Sequence, residues 1–434
     1  MGMYKLKEIG KIVSGATPKT SDTSNFGGII PWITPADLSG YIGKYISHGA
    51  RNLTEKGYNS CSTQLIPENS IVFSSRAPIG YVAITANPLC TNQGFKSIVP
   101  NEKVYSEYLY YQLLYLRDKI RDMGTGTTFK EISGTRFGEI EVHIPSIEAQ
   151  KAAVARIEEL FSQLDDAEAT LQKTKAQLAV YRQAVLKEAF EGKLTNDWRE
   201  VHTDSCPDKD FSTIAIENPT YKDVAGDEKG MLLQLPDSWL MLRIGDVFPV
   251  EVGATPSRQI SEYWDGDVNW VSSGEVQFNH IYETKERITQ LGLSNASTNV
   301  HPIGTVMLAM IGEGKTRGQA AILEVPASHN QNTAAILVST TPCEPKYLYY
   351  YLLMNYENTR RVGSGNNQKA LNKERVRALR FPFTSFSEQR QIVYAIETRL
   401  SECDSIEETV EKALQQIKAM RQSILKQAFE GDTW

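Results

Sequence analysis

Residues 181–192 read YRQAVLKEAFEG, and residues 420–431 read MRQSILKQAFEG. Eight of the twelve positions are identical, at a spacing of 239 residues. A match this long inside a 434-residue chain marks a duplication, and a duplication decides the architecture before any secondary structure is assigned.

Working outward, Gly15-Ala16-Thr17-Pro18 recurs as Gly253-Ala254-Thr255-Pro256, Trp32 as Trp270, and Asn92-Gln93 as Asn330-Gln331, all at a spacing of 238. Tyr108-Leu109-Tyr110-Tyr111 recurs as Tyr347-Leu348-Tyr349-Tyr350, and Gly124-Thr125-Gly126 as Gly363-Ser364-Gly365, now at 239. One inserted residue accounts for the change. The chain is head, helix, head, helix.

Residues 147–192 contain no proline and no glycine before the last position, as one long helix with a glycine stop requires. Ile157, Leu164, Leu171, Leu178 and Val185 recur every seventh residue, with Leu160, Ala167, Thr174 and Tyr181 as a second row. Adding 239 gives Ile396, Cys403, Val410, Ile417 and Ile424, accompanied by Arg399, Ile406, Ala413 and Met420. A helix of ~45 residues is ~65 Å long, more than a small head can cover. Two matched stripes in one chain are therefore expected to pair, and the connectivity favours an antiparallel coiled coil.

Within each head, short strand-like runs such as Ser70-Ile71-Val72-Phe73 and Thr305-Val306-Met307-Leu308 lie between turn signals, ahead of a helical Tyr-Leu-Tyr-Tyr stretch. The expected fold is α+β: two α/β heads related by a pseudo-twofold and joined by two long antiparallel helices. The boundaries fall at 1–146 for head one, 147–192 for the first helix, 236–383 for head two and 384–434 for the second helix. Between them, residues 193–235 carry nine Asp and Glu against five Lys and Arg, and read as a solvated acidic linker.

A net charge of −6 argues against coating nucleic acid by bulk charge, but leaves room for cations clustered on one face. The five cysteines lack any CxxC spacing, so neither a zinc site nor a disulfide framework is expected, and a cytoplasmic setting fits. The N-terminal residues lack an apolar signal core, and no apolar run approaches the ~20 residues of a membrane span.

These features resemble the specificity subunit of type I restriction-modification systems, over essentially the whole chain. The resemblance is carried by the Gly-Ala-Thr-Pro turns, Trp32 and Trp270, the Asn-Gln pairs and the glycine loops. Ile144-Pro145 and Phe381-Pro382, Gln150 and Gln389, and the closing Ala-Phe-Glu-Gly complete it. It implies that each head is a target-recognition domain reading one half of a bipartite, asymmetric double-stranded DNA sequence. It also implies that the paired helices space the heads and dock methyltransferase subunits. Those subunits would use S-adenosylmethionine to methylate adenine, and motor-nuclease subunits would restrict unmodified DNA. No cofactor is expected on this chain. Independently, two related but divergent readers held by a rod suit two different half-sites a set distance apart.

Base reading needs side chains that form bidentate bonds with base edges. In head one the candidates are Arg76, Lys96, Lys130 and Arg136, with Thr125 and Thr127 of the Gly124–Thr128 loop for phosphate contacts. In head two they are Lys315, Arg317, Asn366, Asn367 and Lys369. Trp32, Trp270 and the Asn-Gln pairs recur in both heads and suit shared structural work. No catalytic centre is expected: Asn218-Pro219-Thr220-Tyr221 only partly matches a methyltransferase motif, and no cofactor loop precedes it. The six histidines show no metal spacing. The competing readings are a recognition half fused to a methyltransferase, and a coiled-coil scaffold that never touches DNA.

Overall fold

The computed structural model describes residues 2–76, 78–126, 130–203, 205–217, 233–296, 298–312, 314–361 and 370–431. They form two compact units, residues 1–173 with 410–434, and residues 174–409. Each unit holds one head, the start of the helix that follows it, and the end of the helix from the other repeat.

In head one a five-stranded sheet runs in the order Gly10–Ser14, Phe95–Pro100, Ile71–Ser75, Ile79–Thr85, Tyr45–Ile46. A second sheet has Phe26–Ile33 between Arg51–Leu53 and Cys90–Thr91, and Gly2–Lys5 pairs with Glu141–Ile144. Head two repeats this plan. Val250–Val252, Thr333–Ile336, Val306–Ala309, Ala320–Leu323 and Asn279–Ile281 form its larger sheet, and Trp264–Val271 centres the smaller.

All five residues of Ile71–Ser75 are buried, because the strand is central and covered on both faces. Ile71 and Phe73 join a core with Leu6, Leu109 and Phe137, while Val72 points to the opposite core with Val13, Ile33 and Phe95. Val306 and Leu308 alternate with Met307 and Ala309 in the same way in head two.

The long helices span Ile147–Phe190 and Phe386–Glu430. Each is anchored by the glutamine near its start. The Gln150 amide donates to the carbonyls of Lys103 and Pro145, both at 2.9 Å, and accepts from the Tyr105 N–H at 2.8 Å. Gln389 donates to the Thr384 carbonyl at 2.8 Å and accepts from the Glu344 N–H at 3.2 Å. A second lock lies about two turns further on. Lys44 bridges Glu107 and Glu158 in the first unit, whereas Lys346 reaches Glu397 in the second. Glu158 and Glu397 are equivalent residues of the two helices, but the cation comes from different parts of the heads.

Helix ends dock by their Ala-Phe-Glu motif. Phe429 packs on Tyr108 with ring centroids 5.3 Å apart, and Phe190 packs on Tyr347 at 5.2 Å. The first contact lies wholly within unit one and the second wholly within unit two.

Pairing of the helices is visible inside each unit and is antiparallel. In unit one Arg421 binds Asp165 and, at 3.2 Å, Glu168. The later Phe429 meanwhile reaches back to the head that precedes the first helix. In unit two Arg182 binds Asp404 at 2.6 Å and Glu407 at 3.0 Å. The spacing of 239 converts one set of ion pairs into the other.

Ile157, Leu164, Leu178, Val185, Ile396, Cys403, Val410, Ile417 and Ile424 are buried and Leu171 is half-buried. The companion row meets expectation only in part. Leu160, Thr174, Arg399 and Ala413 are half-buried while Ala167, Tyr181, Ile406 and Met420 are exposed, and in the first helix the residues one place later, Phe161, Glu168, Lys175, Arg182 and Ala189, are covered as well. Apolar periodicity does not show these later positions because Glu168, Lys175 and Arg182 are charged, Glu168 and Arg182 being covered through cross-helix ion pairs.

The solvated-linker reading is also corrected for residues 193–217. Asn196–Val201 and Pro207–Ile214 are helical. They pack on head two through Phe211 against Phe383, and Asp210 accepts a hydrogen bond from the Phe386 N–H at 2.9 Å. Apolar Phe211 and Ile214, outweighed in a charge count, supply the packing.

Head two contains a buried imidazole pair. His301 and His329 lie with their Nε2 atoms 3.1 Å apart, and His329 Nδ1 lies 3.1 Å from the Asn330 carbonyl and 2.7 Å from Thr333 Oγ1. The Asn330 carbonyl can only accept, so Nδ1 carries the proton there and His329 Nε2 accepts from His301. Burial, then the neighbouring His301, pushes the His329 pKa down to about 3, and burial lowers His301 against the partial support of Glu251. Both histidines bind protons more weakly folded than unfolded. Their contribution is therefore complete above the unfolded value of about 6.5 and is lost as pH falls below it. For His329 alone this amounts to ~2 kcal/mol at pH 5. Ile66 and Thr91 occupy the corresponding places in head one, by the paired strands around them. The double variant His301→Ile, His329→Thr should flatten the pH 7 to 5 loss of stability measured by urea unfolding; an unchanged slope would remove the pair as its source.

Candidate nucleic-acid interface

The shared motifs build the frame. Trp32 and Trp270 are core residues, and their indole N–H groups donate to the Ala16 and Ala254 carbonyls at 3.2 and 3.1 Å. A side chain at Gly15 would collide with the Thr91 and Asn92 carbonyls, and one at Gly253 with that of His329. Asn92 and Asn330 accept from the N–H groups of Gly94 and Asn332. Thr17 bonds Gln93, and Thr255 bonds Gln331 at 2.6 Å. These residues hold one turn in one shape, twice.

Beyond that frame, the head-one candidates gather around Glu131. Arg76 lies opposite Glu131 in an isolated bridge, and the Thr125 and Glu131 backbones exchange hydrogen bonds of 3.0 and 2.9 Å. Arg76 and Lys96 direct their cations at the Glu131 carboxylate, at 3.8 and 3.7 Å. Lys130 is exposed beside Gly124. Arg136, on the short helix Gly134–Gly138 capped by Ser133, donates to the Met123 carbonyl at 3.0 Å. Thr127 lies outside the described residues.

Lys96 departs from its expected role. It is 8% exposed on a strand next to the sheet centre, so it balances Glu131 from below and does not itself project.

In head two, Lys315 and Arg317 lie on the loop between Val306–Ala309 and Ala320–Leu323. This is the counterpart of the loop that carries Arg76. Lys315 is exposed and its carbonyl accepts from the Tyr356 hydroxyl, while Arg317 is half-buried. Asn366, Asn367 and Lys369 lie outside the described residues, as does Asn218-Pro219-Thr220-Tyr221.

Three contributors escaped the sequence reading. Arg360 donates to the Gly314 carbonyl at 2.6 Å and stacks 5.3 Å from the Tyr356 ring, fastening that loop to the helix Tyr356–Arg361. Arg117 packs against Gly80 at the matching place in head one. Glu131 is a carboxylate, a type that base reading by cations and amides does not point to; its place between Lys130 and Arg136 is the available signal. Among the described residues no group of three or more His, Cys, Asp or Glu is placed to hold a metal ion. No helix among them is long and apolar enough to cross a membrane.

The family described as "Type I restriction modification DNA specificity domain" matches residues 1–178 and 236–416, once in each repeat. The chain belongs to this family. Among its relatives, the type I restriction enzyme MjaIX specificity subunit of Methanocaldococcus jannaschii is 30% identical over 354 residues, covering 81% of this chain and 75% of that one. The EcoBI specificity subunit of Escherichia coli is 25% identical over 445 residues, covering 98% and 85%. The HsdS subunit of Thermoanaerobacter tengcongensis superposes with a TM-score of 0.59 at 15% identity, over 100% of this chain and 97% of that one. A chain from a type I R-M complex study reaches 0.70, also at 15%, over 100% and 98%. The specificity-subunit fold, α+β and twice repeated, is thus shared.

Proposed function

We propose that the chain is the DNA-reading subunit of a type I restriction-modification complex, each head reading one half of a bipartite, asymmetric target. The observation that supports this reading is the same surface position in both heads, the loop after the fully buried strand, dressed with different side chains: Arg76 in one, Lys315 and Arg317 in the other. A common frame with divergent tips suits two unlike half-sites. On this reading catalysis belongs to partner subunits. Methyltransferase subunits with S-adenosylmethionine modify adenine, and motor-nuclease subunits restrict.

The test is selection from a randomised duplex pool by the full chain reconstituted with methyltransferase subunits. The expected result is two unlike half-sites at a fixed gap, with affinity that falls steeply as salt rises. A complex that selects no sequence would sink the reading in favour of a protein scaffold.

A further inference from the structure

The backbone fixes which residues of the two heads correspond around Glu131. The Ile132 N–H donates to the Ser75 carbonyl at 3.0 Å, and the Leu371 N–H donates to the Met310 carbonyl at 2.9 Å. Arg76 follows Ser75 as Ile311 follows Met310, and Glu131 precedes Ile132 as Ala370 precedes Leu371. Lys96 pairs with Ser14 across the sheet, and Ala334 pairs with Val252 in the same register. One spot on a shared frame thus carries Arg76, Lys96 and Glu131 in head one, and Ile311, Ala334 and Ala370 in head two. Three charged residues in one head correspond to three apolar residues in the other.

The geometry of the charged set is unusual for a structural ion pair. Both cations sit beyond hydrogen-bond reach of the carboxylate, at 3.7 and 3.8 Å, and among the described residues the Glu131 side chain makes no hydrogen bond. Its side chain is 41% exposed. Glu131 therefore has its charge offset while its lone pairs stay available. A bare carboxylate on a surface that meets phosphates is repelled. Flanked by Arg76 and a nearly buried Lys96, with Lys130 and Arg136 nearby, it can approach DNA. In the major groove the only donors it could accept from are the exocyclic amino groups of cytosine and adenine.

Resting on the reading of the heads as DNA readers, we infer that Glu131 is a specificity-determining residue of head one. It accepts a hydrogen bond from the amino group of a cytosine or adenine, with Arg76 and Lys96 as positioning residues that neutralise it. Head two, apolar at this spot, imposes no such requirement there.

The experiment repeats the duplex selection with the reconstituted complex carrying Glu131→Ala or Glu131→Gln. Wild type is expected to demand cytosine or adenine at one position of the head-one half-site. Glu131→Ala loses that preference by roughly tenfold or more, and every position of the head-two half-site stays as it was. Glu131→Gln, which can donate as well as accept, admits guanine or thymine at the same position. Replacing the selected base by its analogue without the amino group weakens wild type and leaves Glu131→Ala unaffected. An unchanged profile in both variants, or a wild type indifferent to the missing amino group, overturns the assignment while leaving the DNA-reading function standing. A wild type that selects nothing fails the underlying reading instead.

Discussion

Replacing Glu388 by alanine is expected to destabilise the second unit by about 3–5 kcal/mol, the cost of stripping a buried charge of its partner. The Glu388 side chain is 3% exposed. It accepts from Arg199 at 2.9 Å and Thr195 at 2.8 Å through one oxygen, and from the Trp239 indole at 3.0 Å and from Thr384 through the other. Alanine would leave the Arg199 guanidinium, stacked 5.5 Å from the Trp239 ring, with no carboxylate in a site that water barely enters. Glutamine keeps the shape and one acceptor, so Glu388→Gln should cost less. Urea unfolding followed by tryptophan fluorescence measures both. A loss below 1 kcal/mol for Glu388→Ala would mean that residues 193–199 are not held by this carboxylate.

Position 149, the counterpart of Glu388 in the first helix, is alanine, so this anchor belongs to one unit only. That asymmetry is why the linker's packing is not legible in the sequence. The duplication, the long helices and the α+β heads are written in identities and periodicities that survive comparison of one repeat with the other. Residues 193–217 lie between the stretches that match, and their hold on the fold rests on Glu388, Arg199 and Phe211, which composition averages away. The covered positions Glu168 and Arg182 are hidden for a related reason, because charged residues count as solvent-facing until their partners are known. At the interface the cations were legible as types. Their convergence on Glu131 was not, since residues 76, 96 and 131 are brought together only by strand order.

Exchanging residues 2–144 with residues 240–383 should give a folded protein that selects the same two half-sites in the opposite order. Affinity for the original target should fall to the level of unrelated DNA, roughly a thousandfold or more. The locks that join head to helix are interchangeable. Lys44 would meet Glu397 in place of Glu158, and Lys346 would meet Glu158 in place of Glu397. Gln150 and Gln389 bind backbone groups that either head provides, and Phe190 and Phe429 would find Tyr108 and Tyr347 exchanged. Trp239 stays behind with Glu388 at these boundaries. Selection from the random pool, run beside the parent, reads the order directly. A folded exchange that keeps the original order would show that the half-sites are not assigned by these residues.

The docking of Phe429 and Glu430 onto the Tyr108–Tyr115 helix face sets a schedule for biosynthesis. Tyr115 and its partner Glu430 are 315 residues apart in the chain. At ~5–20 residues per second a ribosome takes roughly 15–60 s to travel that distance. For that interval the first head waits with part of its apolar surface uncovered, while the second, which already holds Phe190, can close as it emerges. The domain made first is the one finished last, and the nascent chain is most vulnerable to aggregation during that wait.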